Sequence, residues 1–341
     1  LSINRNGPRA AIVGCSGLEL TDEEKRLFER EQPLGFILFA RNVRDPGQLR
    51  ALIQDFRAVV GRPDAPVLID QEGGRVRRLK PPHWYDAPPG AVFGNLAKAA
   101  ETTAVEAARL NARLIAADLA DLGIDVDCAP VLDVPAPGSH DIVGDRAYSA
   151  DPEWVVRLGR ATHEGLLDGG VLPIIKHIPG HGRAFADSHL ELPVVNASLE
   201  ELRAFDFVPF RALADAPWAM TAHIVYQAID PERPATWSPR LIDSIIRGEI
   251  GFDGVLVSDD VSMKALTGRF EDRTRAALDA GCDVVLHCNG DMAEMSAVLS
   301  AAPPLTDAAQ TRLARAAARK RAVPPPDRVA ATKWLQGWLN G

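Results

Sequence analysis

Short apolar runs recur along the chain, each closed by a turn and followed by a stretch whose apolar positions carry helical spacing. Eight such runs stand at 9–15, 35–40, 66–72, 123–131, 171–177, 219–224, 254–260 and 283–287. They are apolar almost throughout rather than alternating, as expected of parallel strands covered on both faces. Thr21-Asp-Glu-Glu24 reads as a capping box opening a first helix, and Pro46 suits the first turn of a second. Further helical patterns run through 102–122, 151–167, 198–214, 238–249, 272–280 and 291–301. Asp151-Pro152 and Ser238-Pro239 each match an N-cap followed by a proline at the first helical position. Eight successive strand–helix units predict an α/β chain folded as a (β/α)8 TIM barrel, with a doubly wound open sheet as the alternative. The barrel is expected over 1–302 as a single domain, with 303–341 forming C-terminal helices packed on it.

Two predicted βα connections are long: 73–100 after the third run and 178–196 after the fifth. Loops of that length in compact domains are usually functional. In a barrel they stand at the C-terminal ends of the strands, where the active sites of this fold lie. The polar residues ending the apolar runs therefore carry the candidate chemistry. The third run ends in Asp70-Gln-Glu72 and continues into Arg75, Arg77 and Arg78; the fourth offers Asp125, Asp127 and then Asp133. The fifth ends in Lys176-His177, followed by His181 and by Asp187-Ser-His189; the sixth, seventh and eighth supply His223, Ser258-Asp259-Asp260 and His287. Asp70 and Glu72 could pair structurally with Arg75 or Arg78, Asp125 and Asp127 read as structural, and His223 and His287 read equally as satisfied core histidines. Lys176, ending an otherwise apolar strand, needs a charged partner or water. Asp187 and His189, two apart in an extended segment, point to one side, so the carboxylate can fix the imidazole tautomer. Gly180 and Gly182 offer hinges beneath them. Asp259 is an isolated carboxylate suited to attack an electrophilic carbon while a histidine donates and then removes a proton. Alternation sends Asp259 and Asp260 to opposite sides without choosing between them.

Composition narrows this picture. With 25% charged and 46% hydrophobic residues among 341, the chain is that of a folded, enzyme-sized protein. A formal net charge of −8 disfavours a nucleic-acid partner, and the basic cluster at 312–321 has the spacing of a solvated helix face. The uncharged stretch 216–229 contains Pro217, His223 and Gln227 and falls short of the ~20 apolar residues of a membrane span. Cys15, Cys128, Cys282 and Cys288 form no CxxC pair and read as core residues of a reduced compartment. Residues 1–9 do not resemble a secretory leader, so a cytoplasmic location is expected. His177 and His181 are separated by Pro179 and Gly180 and lack a zincin glutamate, so neither metal nor cofactor is expected. Neither Ser188 nor Ser258 sits in a nucleophile elbow.

Lys176-His-Ile-Pro-Gly-His-Gly182 with Asp187-Ser-His189, Asp70-Gln-Glu-Gly-Gly-Arg75 and Ser258-Asp-Asp-Val-Ser-Met263 closely resemble the motifs of the family 3 glycoside hydrolases. More narrowly, they resemble the single-domain bacterial β-N-acetylglucosaminidases, or β-hexosaminidases, that recycle peptidoglycan. The resemblance spans roughly 35–287. It implies Asp259 as catalytic nucleophile, with Asp260 as the alternative, and His189 as acid/base oriented by Asp187. It further implies that Asp70, Lys176 and His177 bind sugar hydroxyls, and that Arg78 and Arg146, the latter in Gly144-Asp-Arg-Ala-Tyr-Ser149, line the pocket. The activity implied is retaining exo-hydrolysis of terminal non-reducing N-acetylglucosamine through a glycosyl-aspartate. The partner is then a small glycan, a muropeptide of the GlcNAc-1,6-anhydroMurNAc type or a chitooligosaccharide. Ile178, where an aromatic is common, and the stretch 183–186 depart from the pattern. A phosphorylase on the same scaffold, a lyase or aldolase using Lys176 as a Schiff-base amine, and a catalytically silent sugar-binding protein are the other readings.

Overall fold

The computed structural model describes residues 7–136, 138, 143–184 and 192–339. Eight parallel strands close into a barrel: β1 (Arg9–Val13), β2 (Pro33–Leu38), β3 (Val67–Ile69), β4 (Val126–Asp127), β5 (Leu172–Ile178), β6 (Trp218–Thr221), β7 (Val255–Asp260) and β8 (Val284–His287). Each pairs with its neighbours in sequence, and β1 meets β8 through Ala11↔Val285, Ile12↔Leu286 and Val13↔His287. This closure is that of a (β/α)8 TIM barrel and removes the open-sheet alternative.

Two apolar layers explain why the runs do not alternate. Ile12, Ile37, Leu68, Val126, Ile174, Val257 and Leu286 fill the barrel interior. Ala11, Phe36, Ile69, Ile175, Leu256 and Val285 face outward onto Leu27, Phe56, Leu119 and Leu158 of the surrounding helices. Those helices are α1 (Asp22–Glu31), α2 (Pro46–Val59), α3 (Gly90–Ala97), α4 (Glu101–Leu122), α5 (Pro152–Asp168), α6 (Leu199–Ala204), α7 (Val208–Ala212), a π-wound segment Leu241–Glu249, α8 (Phe270–Asp279) and α9 (Met292–Ala301). The Thr21–Glu24 capping box is formed, and Asp45 and Asp151 cap helices that begin with proline.

Several elements differ from expectation for identifiable reasons. The helix expected at 198–214 is split, because Pro209 cannot donate within a continuous helix and instead occupies the first turn of α7. The fourth strand runs only over Val126–Asp127, with a separate bridge from Val131 to Lys176, and the sixth stops at Thr221, after which Val225–Tyr226 pairs with Val194–Val195 in a separate small sheet. Gln71–Gly73 turns back onto Val76–Arg77 as an antiparallel pair. Gly73 enables this turn: its φ is 107°, and a Cβ there would lie 2.2 Å from the Pro88 carbonyl oxygen.

Beyond α9 the chain crosses the barrel floor. The Ala10 amide donates to the Pro303 carbonyl at 2.9 Å, and the Leu305 amide to that of Pro8 at 3.0 Å. Next come α10 (Asp307–Ala317) and then α11 (Arg328–Leu339), whose Arg328 pairs with Asp118 of α4. The basic cluster at 312–321 lies on a largely solvated face, as expected, but its side chains are also paired. Its Arg312, Arg315, Arg319, Lys320 and Arg321 pair with Asp253, Asp283, Asp215, Asp125, Glu164 and Asp168 around the floor. Among the described residues no helix is long and apolar enough to cross a membrane.

Candidate active site

At the opposite end, the period of the strands carries polar residues above the interior layer. Asp70 and Glu72 follow inward-facing Leu68, and Lys176 follows inward-facing Ile174. Lys176 Nζ lies 2.8 Å from Asp70 Oδ1 and 2.6 Å from Glu72 Oε1. The other Asp70 oxygen accepts from Arg78 at 2.9 Å, while Glu72 receives Arg146 as a two-pronged fork at 2.8 and 2.7 Å. None of the five side chains is more than 21% exposed, so solvent screens them little.

Burial alone would neutralise Asp70, but Lys176 and Arg78 outweigh it and hold the carboxyl well below its usual range. Glu72 is likewise brought down to about 2 by Arg146 and Lys176 against the effect of burial. Burial pulls Lys176 down, yet Asp70 and Glu72 raise it overall. The cluster therefore stays fully ionised, with three cations set against two carboxylates. Gln71 points the other way and pins the following turn: its Oε1 accepts the amides of Arg78 and Leu79 at 2.9 and 3.0 Å. The Arg78 guanidinium, so directed, lies 4.9 Å over the ring of Phe39.

Fully buried Asp133 organises the histidines. Its Oδ1 accepts the amides of His177 and His181 at 3.1 and 2.7 Å, and its Oδ2 lies 2.6 Å from His177 Nδ1. That contact leaves Nε2, on the far edge of the His177 ring, for the cavity. Burial, then the charge of His177, lowers His181 to about 4, so its imidazole is neutral near pH 7.

The two aspartates of β7 have different surroundings. Val255 and Val257 belong to the interior layer, and Asp259 continues that face. Asp260 accepts from Ser262 N, Ser262 Oγ and Cys288 N at 2.9, 2.6 and 3.1 Å, which ties its carboxylate into the loop beyond the strand.

Asp70, Arg78, Arg146, Lys176, His177 and Asp259 thus line one cavity of about 350 Å3, with Met220, Met263 and Leu286 supplying apolar wall. Its size and mixture of fixed charges with apolar surface suit a small polyhydroxylated ligand. Asp187 and His189, with Ser188 between them, lie outside the described residues. The segment leading to them is anchored by Tyr226, whose hydroxyl donates to the Gly180 carbonyl at 2.6 Å, and by an Arg183–Asp206 pair at 2.6 Å. Gly182 serves close approach, since a Cβ there would lie 1.9 Å from the Val134 carbonyl oxygen.

Other strand-end candidates are elsewhere. Asp125 is on the floor with Arg57 and Lys320. Asp127 faces away from the axis beneath Gln71, whose amide it accepts at 2.9 Å, and burial raises it to about 7. His287 is buried against Glu294, and burial pushes the Cys288 thiol far up, away from nucleophilic thiolate. Glu72, expected at most to pair with Arg75 or Arg78, instead holds Arg146 and Lys176, and neither Asp133 nor Phe39 was expected among the site residues. Glu72 was signalled by its two-residue spacing from Asp70, and Phe39 by its place at the end of β2. Nothing local signals Asp133, whose partners lie more than forty residues away. Among the described residues no His, Cys, Asp and Glu cluster is arranged to hold a metal ion.

Residues 11–320 match the model of the glycosyl hydrolase family 3 N-terminal domain. The chain is 41% identical over 311 residues to the β-hexosaminidase of Alkalilimnicola ehrlichii, covering 89% of this chain and 87% of that protein. It superposes with a TM-score of 0.86 on native NagZ from Neisseria gonorrhoeae, at 32% identity over 99% of this chain and 100% of the other. A family 3 β-N-acetylglucosaminidase from Paenibacillus sp. str. FPU-7 gives a TM-score of 0.87 at 29% identity, covering 99% of this chain and 68% of that one.

Proposed function

The chain belongs to glycosyl hydrolase family 3, and from that membership we propose that it is a retaining exo-β-N-acetylglucosaminidase. Its substrate is a muropeptide of the GlcNAc-1,6-anhydroMurNAc type, cleaved at the terminal non-reducing sugar during cytoplasmic peptidoglycan recycling. The barrel, over 1–302, carries the reaction, and 303–341 braces it. The observation that carries the reading is the strand-end carboxylate Asp259 facing a rigid charged wall across a sugar-sized cavity.

The chemistry follows from that arrangement. Ionised Asp70 accepts sugar hydroxyl protons, Lys176 and Arg78 donate to hydroxyl oxygens, and His177 Nε2, opposite the nitrogen held by Asp133, meets a further hydroxyl, so that the ring is fixed against Asp259. Asp259 attacks the anomeric carbon as the bond to the leaving oxygen breaks, and His189, oriented by Asp187, protonates that oxygen. His189 then removes a proton from water, which displaces Asp259 and releases a sugar of unchanged anomeric configuration. A His–Asp pair here takes the place of the second carboxylate usual in retaining enzymes.

Hydrolysis of an aryl β-N-acetylglucosaminide tests this: the wild type releases the phenol, and Asp259→Ala loses at least about 1,000-fold in kcat. Full activity in that variant refutes the assignment. A second reading is a β-N-acetylglucosaminide phosphorylase on the same scaffold, because a histidine acid/base at 189 repels a phosphate acceptor less than a carboxylate would. Sugar 1-phosphate as the main product in phosphate buffer would select it.

A further inference from the structure

Thr221, His223 and Thr236 are fully buried beside β7, and the reaction proposed above uses none of them. Thr221 ends β6, His223 follows two residues later, and Thr236 comes from a short 3-10 turn, Ala235–Trp237. Their polar atoms form one continuous chain. His223 Nε2 is 3.0 Å from the Asp260 carbonyl oxygen, and its Nδ1 is 2.7 Å from Thr236 Oγ1. Thr236 Oγ1 lies 2.8 Å from Thr221 Oγ1, which accepts the Asp259 amide at 3.4 Å.

Donor and acceptor chemistry assigns every proton in this chain. A carbonyl oxygen only accepts, so Nε2 carries the hydrogen. Burial lowers the pKa of His223, which leaves the ring neutral and Nδ1 a bare acceptor. The Thr236 hydroxyl therefore donates to Nδ1 in preference to the Ala222 carbonyl, 3.2 Å away. Thr221 then donates to Thr236, and its remaining lone pair receives the Asp259 N–H. The Asp259–Asp260 dipeptide is thus held at its leading amide and at its trailing carbonyl by one network. The Asp259 side chain is tied to the same unit, since its Oδ1 accepts the Asp260 amide at 2.8 Å.

We infer that His223 is a positioning residue for the nucleophile, acting through Thr236 and Thr221 to hold the Asp259–Asp260 backbone so that the Asp259 carboxylate stays aligned on the cavity. The inference rests on Asp259 being the nucleophile. Small misalignments of a reacting group are expensive, on the order of 100-fold for 1 Å.

Rapid-quench mass spectrometry of the glycosyl-enzyme formed from dinitrophenyl β-N-acetylglucosaminide tests it, with peptide mapping of the adduct and the Kd of N-acetylglucosamine measured alongside. His223→Gln, which keeps only the donor to Asp260, and isosteric Thr236→Val slow adduct formation at least about tenfold, with the Kd within about twofold of wild type. Thr236→Ser, which restores the hydroxyl, recovers most of the Thr236→Val loss. Wild-type rates in Thr236→Val overturn the inference, as does a parallel loss of sugar affinity or a failure of Thr236→Ser to recover. Should His223→Gln not fold, the two Thr236 variants decide alone. An adduct that maps away from Asp259 in the wild type instead refutes the nucleophile assignment, whatever the variants do.

Discussion

The two ends of this barrel use the same residue types in opposite ways. On the floor, Asp125, Asp168, Asp215, Asp253 and Asp283 each stand a few residues before a strand and meet basic side chains of 312–321. Most of these pairs hold at least one partner a third or more exposed, where solvent and side-chain entropy leave a pair worth about 0–1 kcal/mol. At the catalytic end, Asp70, Glu72, Lys176, Arg78 and Arg146 share partners and see little water. Removing one member of such a cluster strands the rest without compensation, at about 3–5 kcal/mol. The floor therefore uses charge as a distributed brace, whereas the opposite end concentrates it in one buried cluster of shared partners. Net composition conceals this division.

Removing one carboxylate from each end should separate the two uses of charge. Glu72→Gln leaves Lys176 and Arg146 short of a counter-charge. It should destabilise the protein by about 3 kcal/mol in urea unfolding and cut aryl-glycoside hydrolysis by at least about 100-fold. Asp133→Asn comes next: the contact to His177 Nδ1 weakens, and kcat/KM should fall about 10- to 100-fold with little change in Tm.

Asp127 belongs to neither end and gives an intermediate, pH-dependent effect. Burial lifts its carboxyl from 3.8 to about 7, so the folded protein holds this proton more tightly than the unfolded chain does. The stability it contributes is fully present below about pH 4 and is lost as pH rises through about 7. Asp127→Asn should therefore melt increasingly above wild type across that window, by something on the order of 2 kcal/mol above pH 7. A constant offset in thermal melts from pH 4 to 8 would contradict this. The smallest effect belongs to the floor: Asp253→Asn should change unfolding free energy by no more than about 1 kcal/mol and leave kcat unchanged.

The barrel was legible because both faces of every strand are covered, which makes its runs apolar throughout. Which polar residue reaches which end was much less so. The run 123–131 and its continuation place Asp125 on the floor, Asp127 behind the sheet and Asp133 in the site, since two-residue periodicity does not reveal where pairing starts or stops. Alternation likewise left Asp259 and Asp260 equivalent until the interior position of Val255 and Val257 distinguished them. The basic run 312–321 showed its solvated face but not its ion pairs, because its aspartate partners come from five separate segments of the chain. Glu72 and Asp133 act through contacts far apart in sequence, and no local pattern encodes those.

A covalent bond between Asp259 and the sugar, as proposed above, requires two displacements and hence retention. A proton NMR time course of aryl β-N-acetylglucosaminide hydrolysis reads this directly from the anomeric signal. The β-anomer of N-acetylglucosamine is expected first, with the α-anomer growing only by mutarotation; α-anomer as the first product would rule out the covalent role of Asp259.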